Sequence, residues 1–338
     1  MAAKTDYTIL EATGIEVRVS SPGKAYFPEA GVTKLDLAEF YLEFADHVLL
    51  GLRERPTVLK RWVDGIGGEP FFQKRLPPKR PDWIESATIS FPSGRTAEEL
   101  VPVDAAHLVW ATNLGNIDFN PHPIRRSDLD HPDELRIDLD PQPDIPWSQV
   151  KEVAMCANEV LAEHDLVGYP KTSGSRGIHV YVRIEQRWTF TEVRRAALAF
   201  AREVERRLPG KATSKWWKEE REGVFLDYNQ NAKDHTIASV YSVRPVPDAR
   251  TSCALTWDEL PGVDAVDLTI RTVAERLRKG VDPYATIDDK AFTLDSLLDL
   301  AQRDEEGGLG DAPWPPHFAK QRGEPKRVQP SRARRAKS

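Results

Sequence analysis

The stretch Glu134-Leu-Arg-Ile-Asp-Leu-Asp-Pro141 decides how this chain is read. Apolar and polar residues alternate along it. Strand side chains alternate between faces, so Leu135, Ile137 and Leu139 are expected to enter a core, with Arg136, Asp138 and Asp140 on the other side. Neighbours on one strand face stand about 7 Å apart. Two carboxylates at that spacing repel unless a cation lies between them, and hard oxygen donors suit Mg2+ or Mn2+. On its own a D-x-D pair is more often two solvated acids at a strand end. Asp227, closing the run Val224-Phe-Leu-Asp227, is the natural third carboxylate if the two strand ends are neighbours.

Outward from that strand, helical and extended patterns mix. Trp147 to about Leu166 and Thr191–Leu208 carry apolar stripes at helical spacing. Ile178, Val180, Val182 and Ile184 alternate with His179, Tyr181 and Arg183, as in a strand whose polar face looks away from the core. Thr33-Lys-Leu-Asp36 reads as a capping box that opens a helix to about Gly51. Strands are expected at Thr57–Trp62, Phe71–Lys74, Gly223–Tyr228 and Thr236–Val243, with a hairpin around Pro92-Ser-Gly94; helices at Ala105 to about Leu114, Leu268–Lys279 and Thr293–Arg303. No linker interrupts residues 15–300. The expectation is one α/β (α+β) unit over 15–317, mixed and antiparallel sheets flanked by helices, between an N-terminal extension (1–14) and a basic disordered tail (318–338).

Composition narrows the classes. At 40% hydrophobic, 338 residues can build a sizeable core. No run of 18 apolar residues marks a membrane span, and no basic-then-apolar start marks a signal peptide. Cys156 and Cys253 belong to no C-x-x-C pair, so a zinc site is not expected and a reducing cytoplasm fits. The net charge is −6, but residues 319–338 carry +7, leaving −13 on the remainder. An acidic body argues against a general nucleic-acid coat and leaves a local basic groove or bound metals.

Two further clusters carry chemistry. Lys171-Thr-Ser-Gly-Ser-Arg-Gly-Ile-His179 sets hydroxyls, glycines and Arg176 before a strand, a loop able to aim N–H groups at phosphate oxygens. It is not a Walker loop, whose order is absent. Lys60-Arg-Trp62 followed by Phe71-Phe-Gln-Lys-Arg75 interleaves cations with rings, which suits nucleic acid, or equally a half-buried hairpin. Lys60 to Gly65 has the letters of the ligase K-x-D-G signature at the wrong spacing.

Taken together, Ile137-Asp-Leu-Asp-Pro-Gln-Pro143, Thr172-Ser-Gly-Ser-Arg-Gly-Ile-His179 and Val224-Phe-Leu-Asp-Tyr-Asn-Gln-Asn231 through Tyr241-Ser-Val-Arg244 resemble the polymerase domain of bacterial ligase D, in the archaeo-eukaryotic primase superfamily. Gly23-Lys-Ala-Tyr-Phe-Pro28, Arg55–Trp62, Phe71–Arg75 and Pro81-Asp-Trp83 match as well, so the likeness covers about residues 15–300. The resemblance implies a primase-like fold with a catalytic cleft between two sub-lobes, and template-directed nucleotidyl transfer at DNA ends or gaps, often with ribonucleotides and Mn2+. It implies that Asp138, Asp140 and Asp227 hold two divalent ions (Mn2+ or Mg2+). Lys60, Asn120, Ser173, Arg176, His179, Gln230 and Arg244 would meet the nucleotide. Lys24, Lys34, Arg61, Phe71, Phe72 and Arg221 would meet DNA, the two lysines at a 5′-phosphate.

Asp118-Phe-Asn-Pro-His122 departs from the family, which commonly has a histidine where Asn120 stands. Asn can hydrogen-bond but cannot become cationic; His122 is a candidate substitute. With no ligase or phosphoesterase module in view, the chain is expected to act as a stand-alone cytoplasmic, nucleoid-associated monomer, meeting a ligase and a Ku-like end binder in trans. A primase that starts strands, a DNA-end-binding module without activity and a two-metal phosphodiesterase are the alternatives.

Overall fold

This computed structural model describes residues 6–91, 93–321 and 323–327. The chain opens on an antiparallel hairpin of β1 (Tyr7–Ala12) and β2 (Ile15–Ser20). Ala12, Val17 and Val19 are buried, so residues 6–14 belong to the body and not to an extension; residues 1–5 lie outside the described residues. β3 (Ala25–Phe27) and β4 (Val32–Thr33) lead into α1 (Lys34–Glu43). Thr33 and Asp36 form the expected capping box, but the helix breaks at Phe44 and resumes as α2 (Ala45–Leu49).

Next comes a sheet of β5 (Thr57–Arg61), β6 (Phe71–Gln73), β7 (Ser86–Ser90) and β8 (Thr96–Leu100) in the order β6-β5-β8-β7. After α3 (Ala105–Asn113), β9 (Asn116–Pro121) returns to pair with β5. The second sheet is centred on β10 (Glu134–Pro141). Following α4 (Trp147–Glu163), the strands β11 (Tyr169–Thr172) and β12 (Ile178–Arg183) extend it on one side. Following α5 (Phe190–Arg207), β14 (Val224–Leu226) and β13 (Ala212–Thr213) extend it on the other. Only the β13–β14 pair is parallel. Two later helices, α6 (Ile270–Arg278) and α7 (Asp295–Glu306), complete the body. No described helix is long and apolar enough to cross a membrane.

The alternation in β10 is realised. Leu135, Ile137 and Leu139 are buried on the sheet that α4 and α5 cover. Removing such a side chain from water contributes about 1.5–3 kcal/mol each. The opposite face does not look into solvent as expected: His179, Tyr181 and Arg183 are all buried as well. What covers that face is the segment Thr236–Val243. It is not a strand. It runs as irregular backbone between the two sheets, donating Ser239 N–H to Phe119 O (2.9 Å) and accepting from the Tyr181 hydroxyl at Ala238 O (3.3 Å). Tyr241 has a φ of 56°, a left-handed value that ends any strand.

A knot of charges ties the two sheets together. Arg55, just before β5, holds Asp133 through two bonds (2.5 and 2.8 Å) and stands 3.1 Å from Glu134. Arg136 grips Glu134 from its own strand (2.7 and 2.9 Å) and donates to Pro121 O at the end of β9 (2.7 Å). Arg183 reaches both acids (3.0 and 3.2 Å). Every one of these side chains is buried.

The body also runs past the boundary expected at 318. Trp314 and Phe318 pack with Ala232, and the buried Glu324 accepts from the N–H groups of Trp314 (2.9 Å) and Gln321 (3.0 Å). Two aromatic anchors and one carboxylate hold a segment whose composition alone reads as tail. Arg322 and residues 328–338 of the expected disordered tail lie outside the described residues.

Candidate active site

β10 is registered so that Asp138 stands opposite His179 on β12, and Leu139 opposite Leu226 on β14. Asp227 follows directly, and its N–H donates to Asp138 O (2.9 Å). Its carboxylate accepts from Asn229 N–H (3.0 Å) and caps the short turn over Tyr228–Asn231. Burial, with Asp227 and then Asp140 beside it, pushes the Asp138 carboxyl up to about 8, against the pull of Lys171 and Gln230. Burial likewise raises Asp227 to about 6; Asp140 adds to this, while the Asn229 N–H and Arg221 oppose it. Among the described residues no three His, Cys, Asp or Glu side chains form a ready-made metal cage. The three carboxylates are instead an all-oxygen set in mutual repulsion. That donor chemistry fits hard divalent ions such as Mg2+ or Mn2+.

A cavity of about 270 Å³ joins Asp138 and Asp140 to Asn120, Ser173, Arg176, His179 and Arg244. The Ser173 hydroxyl accepts from the N–H groups of Ser175 (3.1 Å) and Gly177 (3.0 Å), so it folds the loop as well as lining the cavity. Two glycines are required there. Gly174 has φ of 67° and lies against Arg244; a Cβ on Gly177 would strike the Leu139 carbonyl oxygen, between the two aspartates of β10. The loop therefore rests on the carboxylate strand itself.

Behind the lining stand two residues that were not singled out from the sequence, each against a lining side chain. Asp118 is buried on β9, 3.4 Å from Arg244. Burial raises its carboxyl, opposed by Arg244 and Lys60. Lys171 is buried under the loop, with its amine 2.7 Å from His179 Nδ1. Burial, Arg244 and Arg136 depress that amine far below its ordinary range, against Asp138 and Glu134. Burial, then Lys171, Arg244 and Arg136, depress the His179 imidazole well below its ordinary range; its Nε2 lies 3.6 Å from Asp138. The signal for Asp118 is its place two residues before Asn120, on the same strand face; for Lys171 it is its place at the head of the loop.

Other expected residues sit around the cavity. Gln230 lies close enough to Asp138 to donate to it. Asn120 donates to Asp118 O (3.2 Å). His122 does not substitute for a family histidine: it is buried and paired with Glu99 (3.0 Å). Lys60 is not part of the lining; its amine lies over the rings of Trp62 (4.7 Å) and Phe72 (5.1 Å). Phe71 and Phe72 are 56% and 62% exposed. Arg221 stacks on Phe225 at 3.5 Å. Lys24, Lys34 and Arg61 form a separate basic cluster. Lys24 bonds Asp64 (2.8 Å) and Arg61 bonds Gln73 (2.6 Å). The Lys34 amine, committed to Ser20 O and Asn113 (both 2.9 Å), is lowered to about 8 by burial, then by Lys24 and Arg61.

Comparison with known proteins places the family. Residues 33–284 match the family described as LigD, primase-polymerase domain. The chain is 30% identical over 298 residues to the multifunctional non-homologous end joining protein LigD of Mycolicibacterium smegmatis, covering 86% of this chain and 39% of that protein. It is 33% identical over 274 residues to the protein of the same name from Pseudomonas aeruginosa, covering 80% and 32%. The chain thus spans about a third to two fifths of the length of these relatives. The polymerase domain of Mycobacterium tuberculosis ligase D, in complex with DNA, superposes with a TM-score of 0.77 at 28% identity, over 82% of this chain and 99% of that one.

Proposed function

The chain belongs to the LigD primase-polymerase domain family, a class of DNA/RNA-polymerising nucleotidyltransferases, and on that premise we propose that its cavity receives the triphosphate of an incoming nucleotide while the three aspartates serve the primer end. The observation that carries this reading is the single cavity shared by Asp138, Asp140 and the Ser173–His179 loop. One end of it is acidic; the other offers Arg176, Arg244, a hydroxyl and an imidazole. A polyphosphate laid across it would meet donors along its length, with its reacting phosphorus beside the carboxylates.

Asp138, Asp140 and Asp227 would hold one or two divalent ions. Bound ions there supply charge neutralisation for the triphosphate and a lowered pKa for the primer hydroxyl. The protein's own part is positioning. Ser173 holds the loop's N–H groups in place, Arg176 and Arg244 bind phosphate oxygens, and Asn120 contributes a neutral donor. Phe71 and Phe72 would stack on template or base. Lys24, Lys34 and Arg61 repel one another, which a 5′-phosphate would relieve. The basic cluster and the ring pair support action on gapped or broken DNA bearing a 5′-phosphate; the reading takes the chain as a monomer, with a separate ligase and a Ku-like end binder as partners in non-homologous end joining.

The test is extension on a gapped duplex, with and without the 5′-phosphate, supplying NTPs or dNTPs with Mn2+ or Mg2+. Isothermal titration with Mn2+ alone, on wild type and Asp138→Asn, reads ion binding apart from activity. Template-dependent extension lost in Asp138→Asn, with weaker Mn2+ binding, is the expected result; extension retained by that variant would sink the reading.

A further inference from the structure

The loop between β11 and β12 spends its backbone donors unevenly. Ser173 N–H donates to Gly177 O (2.9 Å), and the N–H groups of Ser175 (3.1 Å) and Gly177 (3.0 Å) donate to the Ser173 hydroxyl. These bonds close the loop on itself. Among the described residues the N–H of Arg176 has no acceptor. The carbonyl of the same peptide is taken: the Arg250 guanidinium donates to Ser175 O (3.1 Å), while its Nε donates to Asp248 (3.0 Å). That peptide is trans and planar, so its C=O and N–H point to opposite sides. Ser175 and Arg176 line the nucleotide cavity. Arg250 and Asp248 line a neighbouring cavity instead. A carbonyl tied to Arg250 therefore turns the Arg176 N–H away from that second cavity.

We propose that Arg250 is a positioning residue: through the Ser175 carbonyl it sets the peptide plane that presents the Arg176 N–H to a phosphate oxygen in the nucleotide cavity. The role rests on the reading of that cavity as a polyphosphate site. A planar fork held at Asp248 and at the carbonyl together has one orientation, which a flexible ammonium would lack. The backbone beneath it is anchored as well. Ala249 O accepts from Ile270 N–H (2.9 Å) at the head of α6, and Thr251 N–H donates to Leu268 O (2.8 Å). Arg250 O in turn accepts from Arg244 N–H (2.7 Å). One residue thus registers two phosphate-binding arms against each other, Arg244 through its backbone and the loop through its side chain. Successive backbone N–H groups are a recurrent way to hold an anion; here one of them is aimed from outside the loop.

The experiment is backbone amide and carbonyl NMR on the intact chain, with and without ATP and Mg2+. In wild type, ATP should move the Arg176 N–H proton downfield, as a new charge-assisted hydrogen bond does; this arm needs no variant to fold. If ATP moves the Ser173 and Arg244 signals but not the Arg176 N–H, the nucleotide reading stands and the role of Arg250 is overturned. If it moves none of them, the polyphosphate reading fails and the role fails with it. Without nucleotide, Arg250→Met, checked for folding by circular dichroism, should move the Ser175 carbonyl 13C signal upfield; an unmoved carbonyl overturns the clamp. In that variant the ATP-induced shift at Arg176 should vanish. KM for the nucleotide should rise about tenfold, the usual scale for misaligning one donor to a charged group, while kcat falls less. An unchanged KM, or a fall in kcat alone, overturns the role. Asp248→Ala keeps Arg250 and removes only a half-exposed partner. It should move the Ser175 carbonyl and Arg176 N–H signals in the same directions, less far; movement of neither overturns the proposal even where Arg250→Met does not fold.

Discussion

β10 carries two carboxylate sites of opposite character. At its start, Glu134 lies with Asp133 among Arg55, Arg136 and Arg183, and every charge has a partner. Toward its end, Asp138 has the acids Asp227 and then Asp140 beside it, and after burial their like charges raise its carboxyl. Four positions along one strand, Glu134 to Asp138, lead from a knot that holds the sheets together to a cleft whose acids repel one another. The first is an assembly of opposite charges whose desolvation is offset by hydrogen bonds. The second keeps its electrostatic need open for a ligand. The knot is buried whereas Asp138 is half-buried and Asp140 exposed, so the two sites differ in access as well as in the sign of their neighbours.

The largest effect should come from the cleft. Asp138→Ala is expected to lower primer extension by about 10³-fold or more, with the urea midpoint unchanged or raised, since a repelling charge has gone. A fall in stability equal to that seen for a knot variant would erase the contrast. Next, Arg55→Met should cost about 3–5 kcal/mol of stability in urea denaturation, because it leaves Asp133 and Glu134 buried with too few partners; any polymerase activity of the folded fraction should persist. On the rim of the cleft, Phe72→Ala should weaken binding of a single-stranded template overhang by about tenfold, the usual scale for one stacked base, without moving the melting temperature. Fluorescence anisotropy with a labelled overhang measures it.

The smallest effect concerns acid. Burial pushes the Glu134 and Asp133 carboxyls up, but Arg55 leads the neighbouring arginines in outweighing it, so both sit below their ordinary 4.5 and 3.8. The unfolded chain therefore binds more protons than the folded one in that range. Stability contributed by the pair is complete above about pH 4.5 and is lost as the pH falls below it. Urea midpoints between pH 6 and pH 3 should decline, and Glu134→Gln should flatten the slope. An unaltered slope would show that the knot does not carry the acid sensitivity.

Much of this was legible in local pattern. Leu135, Ile137 and Leu139 alternate as a strand must, and the order of the three motifs led to the carboxylate strand, the loop and Asp227. What escaped the pattern depended on the second sheet. His179, Tyr181 and Arg183 read as a solvent face because alternation reports two sides of a strand without saying what covers each. The covering segment, Thr236–Val243, has strand-like alternation, yet the left-handed Tyr241 and bonds to both sheets override it. Asp118 and Lys171 went unnoticed for the same reason: their partners, Arg244 and His179, are brought to them only by tertiary packing. Trp314 and Phe318 were too few to mark a packed segment by composition, although two rings on Ala232 are enough.

The seating of Gly177 on the Leu139 carbonyl has a consequence for how such a catalyst could be altered. The spacing between the loop and the aspartates is a backbone-to-backbone contact. No side chain stands between them whose length could be tuned. Exchanging side chains elsewhere on the loop leaves that contact in place, so the seat of the loop on β10 is set by backbone and would shift only on inserting or deleting residues.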